Sequence, residues 1–260
     1  MIGQRLNRLS QRCNEVLTTA SVVGRKFDFR LLSNLIEEGA GDTVLEPFEE
    51  APAARTIEEP PGTTGRYQFT HALIQETLVQ ELSTTRRARL HARVGQALEE
   101  LYGATAPTHA AELSHHFIEA ELVLGPAKLA HYSLLAGDQA LASYAYEDAL
   151  THFERGLAER NIALAGTGVA PDEEAAALLF GLARAQTATF AGFQLVEVFL
   201  NLSRAFEYYS ESANVPMMVA SAGFPINPPA YRISGVAEII ARTLALVPAD
   251  SHEAGRLLSR

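Results

Sequence analysis

The chain has a single cysteine, Cys13, so no disulfide can form within it. That usage fits a reducing compartment. No apolar run reaches the roughly 20 residues of a membrane-spanning helix. Met1-Ile2-Gly3-Gln4-Arg5 also lacks the apolar core of a secretory signal. The expected location is cytoplasmic, with no membrane partner. Catalytic punctuation is missing too: there is no G-x-x-x-x-G-K-[ST] phosphate loop, no H-E-x-x-H and no G-x-S-x-G. Gly24-Arg25-Lys26 lacks the phosphate-loop spacing, and Gly62-Thr63-Thr64-Gly65-Arg66 precedes a strand pattern instead of a helix. No enzyme activity, catalytic residue, cofactor or bound metal is therefore expected.

Positive charge is scarce. There are 21 Lys+Arg against 31 Asp+Glu, a net charge of −10. Residues 1–103 hold 12 against 14, net −2, and residues 104–260 hold 9 against 17, net −8. An acidic C-terminal part repels a phosphate backbone, which disfavours nucleic-acid binding by this chain alone. Hydrophobic residues make up 47% and charged residues 20% of the 260 positions, an ordinary globular composition for a chain long enough to hold two units.

The organising stretch is Arg66-Tyr67-Gln68-Phe69-Thr70-His71-Ala72-Leu73-Ile74-Gln75-Glu76-Thr77-Leu78. Tyr67 and Phe69 alternate with Arg66 and Gln68 as in a strand. At Thr70 the period changes to about 3.6, and Leu73, Ile74, Thr77 and Leu78 mark a helix face that Thr70 is placed to cap. Pro60–Gly65 reads as a turn, with Thr56–Glu59 as the partner strand of a hairpin. Upstream, Leu6, Leu9, Val16 and Leu17 space one helix, which Gly24 stops. Leu31, Leu32, Leu35 and Ile36 mark a second. A third, over about 44–54, contains Pro47 and Pro52 and carries Glu46, Glu49 and Glu50, which makes it a poor reader of DNA.

Phe69-Thr70-His71-Ala72-Leu73-Ile74-Gln75-Glu76 resembles the F-[ST]-H-x-L-[IL]-x-E signature of bacterial STAND-type signal-transduction ATPases. Their relatives include LuxR-type regulators and proteins with an adenylate/guanylate cyclase domain. In that class the signature lies in a winged-helix-like arm after the nucleotide-binding domain, and tetratricopeptide-like repeats follow. The resemblance implies a mainly α chain: a winged-helix-like N-terminal domain with a small β-hairpin over 1–103, then an α-solenoid of helical hairpins over 104–260. It also implies a non-catalytic signalling module whose repeats bind a protein, peptide or effector. The arm would work against a nucleotide-binding domain of the same or a partner chain. The alternative is a transcription regulator that binds DNA through the winged helix.

After Ser83, a candidate cap, Leu90, Val94, Ala97, Leu98 and Leu101 form a helix stripe, and Arg86, Arg87, Arg89 and Arg93 form the basic cluster. His109, Glu112 and His116 lie at i, i+3 and i+7, but histidines packed along a helix stripe are the expected reading, not a zinc site. From Gly125 the chain reads as helical hairpins. Gly137 and Ala149 match small positions of a repeat, Tyr146, Leu150 and Phe153 follow its second helix, and Gly156 stands where alanine is usual. A second pair begins at Pro171, with Leu178, Leu179, Leu182 and Ala183, then Leu195, Val198, Leu202, Ala205 and Phe206. The spacing from Gly181 to Val198 is longer than the usual twelve. A last pair, interrupted by residues 224–231, leads to a helix capped by Ser251, and an array stopping there is expected to be truncated. The candidate interaction surface comprises Arg86, Arg87, Arg89 and Arg93 with Tyr144, Tyr146, His152, Tyr208 and Tyr209.

Overall fold

The computed structural model describes residues 6, 8–36, 45–190, 194–226 and 235–260. The chain is mainly helical and divides into two contact-dense units, Met1–Gly125 and Pro126–Arg260. The division falls beyond the expected boundary after residue 103. The reason is local: the helix ending at Tyr102 packs against the next segments, Gly103–His109, Ala110–Glu119 and Glu121–Leu124, and holds them in the first unit.

In the first unit, α1 (Gln11–Val23) starts where Ser10 Oγ accepts from Cys13 N, and ends at Gly24. Leu6 and Leu9, expected on this helix, are buried ahead of it. Residues expected only to break the helix instead form β1 (Lys26–Asp28). Next come α2 (Phe29–Ile36) and α3 (Leu45–Ala53). Pro47 sits in the first turn of α3, where a missing N–H costs nothing, and Pro52 stands one residue before its end. The strands β2 (Ile57–Glu58) and β3 (Arg66–Phe69) form the expected hairpin, with Gly62 and Gly65 both at φ 79° in its turn. The sheet order is β1-β3-β2, all antiparallel, with Phe27 opposite Tyr67 and Ile57 opposite Phe69. Aromatic rings tie this sheet to its helices: Phe48 lies 4.8 Å from Phe29 and 4.9 Å from Tyr67, and Phe27 lies 5.5 Å from Phe69.

The period change after Phe69 is real, and α4 (Ala72–Gln80) follows β3. Thr70 does not cap it. Its hydroxyl donates to Arg55 O at 2.9 Å, locking the base of the hairpin. Ile74 and Leu78 face the core, whereas Leu73 is 60% exposed. Helix α5 (Thr84–Tyr102) is capped by Ser83 and buries Val94 and Leu98, but Leu101 faces solvent. A 3-10 segment (Gly103–His109) leads to α6 (Ala110–Glu119) and α7 (Glu121–Leu124).

The second unit contains α8 (Pro126–Ala142), α9 (Tyr146–Glu159), α10 (Glu173–Thr189), α11 (Leu195–Glu211), α12 (Val215–Ala222), α13 (Val236–Leu244) and α14 (His252–Leu258). Sequential helices pack on one another, and α8 also touches α10. The key to that three-helix contact is Phe153 of α9, which is fully buried. A Cβ on Gly137 of α8 would stand 2.6 Å from its ring, and one on Gly181 of α10 would stand 2.4 Å away. Two glycines thus make the slot for one phenylalanine. Arg204 of α11 ties down the connection between α9 and α10, donating to Gly168 O and Ala163 O, both at 2.8 Å. Among the described residues no helix is long and apolar enough to cross a membrane.

Candidate functional site

The best-formed concavity of the second unit has a volume of about 640 Å³. Helix periodicity builds its walls. On α11, Phe199 and Leu202 lie three residues apart, and on α13, Val236, Ile239, Ile240 and Leu244 follow the 3.6-residue stripe. Leu257 and Leu258 of α14 and Ser221, Ala222, Phe224, Pro225 and Ile226 also line it among the described residues. Gly235 lets α13 begin hard against α11: its φ is 110°, and a Cβ there would meet Phe199 Cζ at 2.8 Å.

Polar groups around this space are few. Ser221 Oγ is committed to Met217 O at 2.8 Å. Arg242 is committed as well, donating to both Glu207 carboxylate oxygens at 2.6 and 2.9 Å while its guanidinium lies 5.0 Å from the Phe206 ring centroid. It braces α13 against α11. Arg260 lines the cavity, and Arg256 stands beside it, with Nη2 2.9 Å from where a Cβ on Gly223 would be. Neither of these two guanidinium groups has an ion-pair partner among the described residues. Burial and the neighbouring Arg256 charge both push the Arg260 pKa down.

The residues expected to form an interaction surface do not come together as one patch. Tyr144 occupies the turn between α8 and α9 at φ 60°, and is 77% exposed. Tyr146, 6.3 Å from it edge to face, is half-buried against the core. His152 is half-buried with no partner on Nδ1, and burial and Arg155 lower its pKa. Tyr208 is half-buried, whereas Tyr209 is 1% exposed and belongs to the core. As a neighbour of Leu202, Ala205 and Phe206 on the helix stripe, Tyr209 presents no surface. Its hydroxyl has no hydrogen-bond partner, and burial raises its pKa to about 12.

In the first unit, Arg86 and Arg89 are exposed on α5. Arg87 pairs with Glu119 of α6 at 3.2 Å, and Arg93 donates to the Leu35 carbonyl near the end of α2. Half of the basic cluster therefore braces the fold. The histidines diverge as well. His109 stacks on Tyr102 at 3.7 Å, Glu112 accepts from the Tyr102 hydroxyl at 2.7 Å, and His116 turns inward to meet His91, Nδ1 to Nδ1, at 3.1 Å. Among the described residues no group of three or more His, Cys, Asp or Glu is arranged to hold a metal ion.

Sequence reasoning missed the cavity. The local signal that bears on it is the stripe of Val236, Ile239, Ile240 and Leu244, whose spacing marks a helix face but not what packs against it. Part of the interrupted segment 224–231, from residue 227 onward, lies outside the described residues. No protein family, curated protein or solved structure matches the chain.

Proposed function

We propose that the chain is a non-catalytic interaction module of a bacterial STAND-type signalling ATPase. In this reading the first unit is the winged-helix-like arm and the second a short array of tetratricopeptide-like hairpins. The observation that carries the reading is the order of parts. An antiparallel hairpin runs directly into α4 at the F-T-H-A-L-I-Q-E stretch, and a unit of sequentially packed helices follows. The glycine–phenylalanine contact of Gly137, Phe153 and Gly181 adds support, because paired repeat helices meet through small residues at fixed places. The second unit would recognise a protein or effector, and the arm would pass that occupancy to a nucleotide-binding domain in the same or another chain.

The alternative, a regulator gripping DNA through α3, is weaker on electrostatic grounds. Glu46 and Glu49 are exposed on α3, and Glu50 accepts from Ser10 N and Oγ, both at 2.6 Å. A carboxylate-bearing helix meets a phosphate groove with repulsion. The proposed reading predicts that the full chain, used as bait in extract from its own source, retains a polypeptide containing a phosphate loop. A folded, monodisperse bait that retains none, yet shifts duplex DNA in a salt-sensitive way, would favour the alternative.

A further inference from the structure

The cavity between α11, α13 and α14 combines an apolar interior with cationic charge on one side only. Phe199, Leu202, Ile240 and Leu244 supply the wall, and among the described residues no Asp or Glu side chain lines it. Arg260, just past the end of α14, lines its edge, and Arg256 of α14 lies close enough to Arg260 to act on its charge; both are unpaired among the described residues. Four other arginines of this unit are neutralised or saturated, Arg160 by Asp172 and Glu174, Arg184 by Asp138, Arg242 by Glu207, and Arg204 by backbone carbonyls, whereas Arg155 lies beside His152. Two adjacent guanidinium groups without a counter-charge repel each other, and an anion held between them removes that cost. The volume, about 640 Å³, is in the range of small-molecule sites.

We propose that this cavity binds one free fatty acid, with the acyl chain along Phe199, Leu202, Ile240 and Leu244 and the carboxylate between Arg256 and Arg260. The acyl chain gains from leaving water, which is non-directional. The bidentate match of carboxylate to guanidinium fixes which end points outward. A neutral alcohol of equal length keeps the first contribution and loses the second. A quaternary ammonium of equal length meets repulsion. This names an effector class for the second unit and rests on reading that unit as a recognition module.

The test uses the full chain and dodecanoate, titrated calorimetrically below its micelle concentration, with dodecanol and dodecyltrimethylammonium as matched probes. The expected result is one dodecanoate per chain, with dodecanol and the ammonium each bound at least tenfold more weakly. Changing both arginines, Arg256→Gln with Arg260→Gln, is expected to weaken dodecanoate roughly tenfold, as loss of charge-assisted hydrogen bonds does, and to leave dodecanol unchanged. Ala237→Phe is expected to fill the space and weaken both. The arginine pair lies at exposed positions, so that variant remains informative if the Phe variant fails to fold. Equal binding of all three probes, no binding of dodecanoate, or a concentration-dependent dimer that competes with it would overturn the proposal. These readouts are independent of partner capture, so this site can fail while the interaction module stands.

Discussion

Phe153 shows how much of the second unit depends on single atoms. Alanine at Gly181 or Gly137 would gain about 1 kcal/mol of helix propensity. It would also place a methyl group 2.4 or 2.6 Å from the Phe153 ring, well inside contact distance. Overpacking of a filled core costs about 1–3 kcal/mol, so the steric effect wins. Gly181→Ala and Gly137→Ala are expected to lower stability by about 1–2 kcal/mol in chemical denaturation. Gly255→Ala, on α14 with nothing within 4 Å of the new Cβ, is expected to raise it by up to about 1 kcal/mol. Equal effects at all three positions would contradict this account of the slot.

Cys13 makes a second test at the same scale. Its side chain is fully buried, its thiol faces the Pro47 carbonyl at 3.8 Å, and burial, with the Glu50 carboxylate adding, pushes its pKa up to about 12. Thiolate is the reactive form. Alkylation at pH 8 is therefore expected to proceed only as fast as the first unit opens, at least a hundredfold slower than in denaturant. Labelling at the rate of a free thiol would show that α1 and α3 are not packed as described.

Among the elements, the α5–α6 pair is acid-sensitive. His91 and His116 are buried, and their Nδ1 contact at 3.1 Å requires one ring to donate and the other to accept. Burial, with nearby positive charge adding, lowers their pKa values to about 4 and about 3. The charged groups facing them are His115 and Arg87. The unfolded chain takes up these protons near pH 6.5, whereas the folded chain resists them until much lower pH. The fold is therefore unaffected above pH 6.5 and loses stability as pH falls through that value. Linkage gives about 1.4 kcal/mol per histidine per pH unit in this window, hence about 4 kcal/mol for the pair between pH 7 and pH 5. Urea midpoints at the two pH values, compared with those of a His91→Leu, His116→Leu variant, measure it. A wild-type shift no larger than that of the variant would refute the assignment.

Element-scale patterns were also what the sequence displayed best. Gly24, Ser83 and Ser251 stand where helices end or begin, and the strand-to-helix change after Phe69 lies where the period shifts. Local hydrogen-bonding and periodicity decide such points, so one chain segment suffices to read them. Positions decided by distant partners were not legible. Thr70 bonds to Arg55 instead of capping α4, Leu73 finds no core neighbour, and Arg93 reaches the Leu35 carbonyl across 58 positions. The third strand, β1, exists only because β3 supplies its hydrogen bonds. The cavity was equally hidden, since α11, α13 and α14 contribute walls from three separate stretches of the chain, residues 199–202, 236–244 and 257–258.

For the whole molecule, the proposed function has the second unit recognise a partner and the first relay its occupancy. Neither half carries net positive charge, which disfavours a nucleic-acid partner. The chain contains only two lysines, Lys26 in the first unit and Lys128 in the second, so an amine-reactive cross-linker reports on each unit separately. The most direct measurement is cross-linking of the full chain in extract from its source, with the joined peptides identified by mass spectrometry. The account predicts that Lys26 joins to a domain bearing a phosphate loop, while Lys128 joins to a different surface or partner. Lys26 found joined to no nucleotide-binding domain, in an extract where such domains are abundant and the chain is folded, would contradict it.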